Sequence, residues 1–162
     1  MLKNLNATKK GLFTGLLMIA ITLVLYYSKL PFDSPFQYIV YLAYAFGIVW
    51  TLYDFNRTGD HSGKFGQFFS QGFKCFIVVT LLMVLFTATF NWFHPEFKTA
   101  MAEAYRAEML KKANTTPPEV EAGVKKMKDF YIVMLLSGAI FGYLLIGAVV
   151  TLVTTLMFTR RK

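Results

Sequence analysis

Thirty consecutive residues, Phe130 to Thr159, carry no charge. At about 1.5 Å of rise per helical residue, such a run is longer than the roughly 30 Å hydrocarbon core of a bilayer. It reads as a transmembrane helix. Arg160, Arg161 and Lys162 follow at once and form a cationic stop suited to lipid headgroups. Within the run Gly138 and Gly142 have GxxxG spacing, and Gly147, Thr151 and Thr155 continue the series of small residues. Small side chains let helix backbones approach closely, so Gly138, Gly142 and Gly147 are expected against another helix.

Composition supports the same environment. In 162 residues, 56% are hydrophobic and 16% charged, too much apolar material for one water-soluble domain of this size. The formal charge of +8 does not point to nucleic acid, because the basic residues flank apolar runs and form no separate basic domain. Headgroup contact and control of topology are the better reading. Cys75 is the single cysteine and lies in an apolar run, where it reads as a small buried residue.

Three further spans precede the last. The first apolar run, Gly11 to Ser28, follows Lys9 and Lys10 and lacks a small-x-small cleavage site, so it is read as a retained helix. Gly11 and Gly15 give it a packing face. The segment KLPFDSP, residues 29 to 35, makes a short turn to a second span over about 35 to 54, in which Ala43 and Gly47 are the packing residues. The loop DFNRTGDHSGK, residues 54 to 64, contains acids, an amide and His61 but no recognised metal-ligand spacing, and reads as a solvated loop. The third helix is expected from Ser62, as N-cap, to Phe93. Its charge-free part, Cys75 to Phe93, is nineteen residues long and sufficient to span. Gln67, Gln71 and Lys74 share one helical face near the interface, which is either a partly wet first turn or a polar site for a lipid headgroup or partner.

Thirty-six residues, His94 to Asp129, separate the third span from the fourth and hold seven Lys or Arg and six Asp or Glu. A connection of this length is expected to have its own structure. Phe97, Met101, Tyr105 and Met109 recur every four residues and predict an amphipathic helix from about Glu96 to Ala113. In TTPPEVE, Thr116 is placed as N-cap, Pro117 as the first helical residue and Glu119 as the capping-box acid. A second amphipathic segment with Val120, Val124 and Met127 on one face follows, with nothing at Lys128 and Asp129 to stop it entering the fourth span. The expected architecture is therefore an all-α membrane protein, one domain over residues 1–162. It has four transmembrane helices near 11–28, 35–54, 65–93 and 130–158, arranged as an up-down four-helix bundle. An extramembrane amphipathic helical hairpin, about 96–129, lies between spans three and four. Compact basic clusters at both tails favour cytoplasmic termini and an extracytoplasmic hairpin.

Several segments resemble the bacterial domain-of-unknown-function family 4199. These are the KFGQFF and GFK pieces at the start of the third span, FNWFHPEF at its exit, the helical loop with PPEVE, and the glycine-bearing last span before a basic tail. Phe65, Gly66, Gln67, Gly72, Phe73 and Lys74, with Pro95 and Phe97, carry the resemblance most specifically. The family pattern often has an acidic residue where His94 stands. The resemblance implies a four-span protein of the bacterial cytoplasmic membrane and implies no activity.

Function is weighed by what the spans hold. An enzyme needs acid, base, nucleophile or metal ligands converging at one depth, whereas His61 and His94 are expected at opposite interfaces. No catalytic residue, cofactor or metal is expected. Transporters place charges near the midplane or break their helices with proline, and neither feature occurs here. The reading is a non-catalytic accessory, scaffold or assembly module acting through helix packing and the hairpin, with Phe97, Met101, Tyr105 and Met109 as the partner surface. The alternative is small-solute or lipid handling. The expected partners are membrane lipids and another membrane protein or a second copy of the chain, with no nucleic acid.

Overall fold

The computed structural model describes residues 6–28, 35–59, 62–111 and 116–160, and every regular element among them is helical. The helices are α1 (Ala7–Tyr27), α2 (Tyr38–Thr58, preceded by one 3-10 turn at Pro35–Gln37), α3 (Phe65–Phe93), α4 (Glu96–Leu110) and α5 (Pro117–Thr159). Four of them, α1, α2, α3 and α5, are long and apolar enough to cross a membrane. The chain is thus a multi-pass, all-helical membrane protein. Residues 29–34 of the expected first turn and His61 lie outside the described residues.

Helix ends depart from the charge-free runs. α1 begins four residues before Gly11 and includes Lys9 and Lys10, while α2 continues past Asp54 to Thr58. Charged residues are good or tolerable helix formers, so an apolar boundary is not a helical one. α2 stops where Gly59 takes a positive φ of 72°, a left-handed conformation that suits glycine after a helix. α3 begins three residues after Ser62, because Gly63 has φ 73° and cannot lie inside a helix. Ser62 instead donates its backbone N–H and its hydroxyl to Gln67 Oε1, at 3.0 and 3.1 Å.

The chain divides into two compact units, Met1–Val84 with Ala139–Lys162, and Leu85–Gly138. In the first unit α1 and α2 are antiparallel: Thr14 abuts Gly47, and Lys10 pairs with Asp54. Gly11 and Gly15 of α1 meet Cys75 and Leu82 of α3, so those two helices run in the same direction. Phe158 of α5 packs its ring near Tyr53 of α2 and Phe68 of α3. The start of α1, the end of α2, the start of α3 and the end of α5 therefore lie at one end of this unit. Its interior mixes large apolar residues such as Met18, Ile48, Leu52 and Phe68 with the threonines Thr14, Thr51, Thr80, Thr151, Thr154 and Thr155, while Phe141, Leu145, Val149 and Leu152 of α5 are exposed. Hydroxyl-bearing residues inside a spanning unit, with bulky apolar side chains also covering its outside, is a distribution that lipid surroundings favour.

In the second unit α4 packs on the first turns of α5. Ala102, Val120 and Val124 form a buried cluster, with Tyr105 and Met109 packed against it and Arg106 bonded to Glu121 at 2.8 Å. The second amphipathic segment is not a separate helix: it is continuous with the fourth span in the single 43-residue α5. Thr116 starts α5, donating its N–H and hydroxyl to the Glu119 carboxylate at 2.8 and 2.9 Å. These two bonds, the backbone one foremost, hold the Glu119 carboxyl below its ordinary range. At the α3–α4 junction the Glu96 carboxyl is lowered likewise, by its own backbone N–H and by the His94 ring 2.6 Å away. Tyr131 of α5 donates to Asn91 Oδ1 of α3 at 2.7 Å.

Candidate functional site

Helix contacts come first, because they decide which polar groups meet. A Cβ built on Gly11 would stand 2.6 Å from the Cys75 carbonyl oxygen, and one on Gly15 would stand 2.7 Å from Leu82 Cδ1. Gly47 abuts Thr14, Gly72 abuts Thr151, and Gly147 abuts the Tyr44 hydroxyl and Phe76. Ala43 is half-buried. Gly138 and Gly142 differ: nothing stands within 4 Å of where their Cβ atoms would be, so no described neighbour packs closely on that side of either. The reason is rotational. Five residues of helix turn about 140° in net angle, so Gly142 cannot share the face on which Gly147 meets Tyr44.

Those close approaches assemble a polar interior in the first unit. The Lys10 ammonium, 4% exposed, is paired with Asp54, 23% exposed, and stands 5.6 Å from the centre of the Trp50 ring. Burying a lone ammonium would be costly, and carboxylate and ring together compensate it. Deeper in, Thr51 donates to the Gly47 carbonyl at 2.8 Å, with Cys75 Sγ 3.3 Å from the same hydroxyl. Tyr44 donates to the Tyr143 carbonyl at 2.9 Å. The buried hydroxyls of Thr80, Thr151 and Thr155 have no hydrogen-bond partner among the described residues.

At the end of the first unit that holds Lys10 and Asp54, a concave pocket of about 470 Å³ is lined by Phe55, Gly66, Gln67, Ser70 and Gln71. Gln67 and Gln71 of the sequence-derived trio line it; Lys74 is exposed one turn further along the same face of α3. Gln67 is oriented by Ser62. A backbone N–H can only donate, so the amide oxygen must face Ser62 and the amide NH2 is left to face elsewhere. The pocket's Ser70 was legible as the i+3 neighbour of Gln67. Phe55 was not, since it comes from α2 and its ring is set by Phe68, 5.2 Å away.

The four residues expected as a partner surface separate in space. Tyr105 and Met109 pack on the Ala102 cluster, and Phe97 lies tilted beside Phe90 and edge-on to His94, with centroids 5.8 and 5.9 Å away. Met101 is exposed. A spacing of four overshoots a helical turn by about 40°, so the stripe drifts around α4 and Ala102, in i, i+3, i+7 register with Tyr105 and Met109, takes the inner place. Residues 9–160 match the model of a family described as a protein of unknown function (DUF4199). No curated protein and no solved structure matches.

Proposed function

We infer that this chain, which belongs to the DUF4199 family, is a non-catalytic accessory or scaffold module of the bacterial cytoplasmic membrane. It acts through helix packing and through an extramembrane helical hairpin made by α4 and the first turns of α5. The observation that carries this reading is the closed seam of Ala102, Val120 and Val124. The arm is ordered by its own contacts, so it presents Met101 and Leu110 outward on two preformed flanks of α4 and binding need not order it. Methionine suits such a contact because its unbranched thioether adapts to a partner. The partner is another membrane protein or a second copy of the chain, and no cofactor takes part. Lys9, Arg57, Lys64 and Arg160 gather at the terminal end of the first unit, which supports cytoplasmic termini.

Purification from native membranes in mild detergent tests this. A protein recovered in stoichiometric amount with the wild type, and lost with the double variant Met101→Glu and Leu110→Glu at unchanged insertion and thermal midpoint, is the expected result. Equal recovery with both would remove the arm from the function. A second reading, small-solute handling, is favoured by the unpartnered hydroxyls of Thr80, Thr151 and Thr155 inside the first unit. Solute flux in proteoliposomes that Thr151→Val and Thr155→Val abolish would decide for it.

A further inference from the structure

We propose that the pocket of Phe55, Gly66, Gln67, Ser70 and Gln71 binds the phosphate group of an anionic membrane phospholipid, with Lys74 as its counter-charge. The inference is independent of the scaffold reading, since it concerns the unit of the chain that does not contain α4.

Four observations converge on it. The first is donor chemistry: Gln67 lines the pocket with its oxygen engaged by Ser62, which leaves its NH2 as the free polar group, and Ser70 and Gln71 add a hydroxyl and a second amide to the lining. The described lining contains no carboxylate that would repel an anion. Next is the aim of Lys74. Positions 67, 70, 71 and 74 share a helical face, and helical side chains lean toward the N-terminus, so its stem runs over the turn that carries Ser70 and Gln71. Depth agrees with this direction. The charge-free part of α3 begins at Cys75, so Lys74 stands at the hydrocarbon boundary, and its ammonium reaches headgroups by extending toward the start of α3, where the pocket is. Finally, the same helix offers exposed Phe73 and Leu81 deeper along α3, an apolar surface against which an acyl chain can lie while its phosphate occupies the pocket.

A phosphate could also arrive as the free ion, and the two sources differ in what else they bind. The basic residues at this end, Lys9, Arg57, Lys64 and Arg160, raise the local concentration of either. Only the lipid gains from Phe73 and Leu81.

The test uses the full chain, delipidated in neutral detergent and titrated in parallel with phosphatidylglycerol, phosphatidylcholine and inorganic phosphate. Bound molecules are counted by native mass spectrometry. One phosphatidylglycerol is expected to bind at least roughly tenfold more tightly than phosphatidylcholine, with inorganic phosphate unable to displace it at equal concentration. Lys74→Gln and Gln71→Leu should each weaken that binding about tenfold, and Lys74→Arg should retain most of it. Lys74 is exposed, so its replacement keeps the fold, and an unchanged thermal midpoint of the lipid-free protein verifies this. Equal affinity for the two lipids, or unaltered binding by Lys74→Gln, overturns the proposal. Inorganic phosphate binding as tightly as the lipid overturns the lipid as its source.

Discussion

At Gly11 a single added methyl would meet the carbonyl oxygen of Cys75, a backbone atom that cannot swing aside. Gly11→Ala is therefore expected to lower stability by about 1–3 kcal/mol through overpacking. Gly142→Ala should instead leave it unchanged or raise it by about 0.5–1 kcal/mol, because a methyl there meets nothing and alanine loses less backbone entropy than glycine. Thermal unfolding of both variants in one detergent checks the pair, and equal losses would contradict the packing. The contrast also shows where sequence reading stops. GxxxG spacing reveals that a helix has a face with little bulk, but whether a neighbour occupies that face depends on rotation about the helix axis. Gly47 and Gly147 have no second glycine at that spacing, only Ala43, Thr51 and Thr151, yet they sit against Thr14 and Tyr44. Likewise Gln67, Gln71 and Lys74 were legible as one face of α3, whereas Phe55, which lines the pocket beside the two glutamines, belongs to another helix.

At the scale of an element, the start of α5 is set by local chemistry and was readable as such: Thr116, Pro117 and Glu119 stand in capping order. The folded-state pKa of Glu119 lies below its ordinary value of 4.5. Its contribution to the helix start is thus fully present above that value and is lost as pH falls through the lower, folded one. Acidification should then fray the first turn of α5 and speed amide hydrogen exchange around Val120 beyond the intrinsic change. Glu119→Gln, which keeps an acceptor without a titrating proton, should abolish the effect. Exchange in the variant that still follows acidity would place its cause elsewhere. α4 was harder to read in detail. Its amphipathic character follows from spacing, but the inner position of Ala102 does not, because a small residue buries little apolar area and weighs little in a search for a hydrophobic stripe.

At the scale of the whole molecule, the four spans were legible because a bilayer demands about 20 apolar residues in succession, a length that few other structures require. Sidedness rests on charge placement, and it predicts that a cysteine at Glu103, with the fully buried Cys75 replaced by Ala, reacts with a membrane-impermeant thiol reagent in intact cells. A cysteine at Lys64 in the same background should react only after the membrane is opened. The opposite pattern would show that Lys125, Lys126 and Lys128 set the orientation. What no run of residues announces is a partnership such as Lys10 with Asp54, 44 positions apart and dependent on the register of two helices. In the folded chain the Lys10 ammonium is buried, and Asp54 is the carboxylate paired with it. A slip of α2 by one residue would swing Asp54 about 100° around its axis and leave that ammonium unpaired. The pair thus ties the first two helices to a single register, since only that register brings a carboxylate to the buried ammonium.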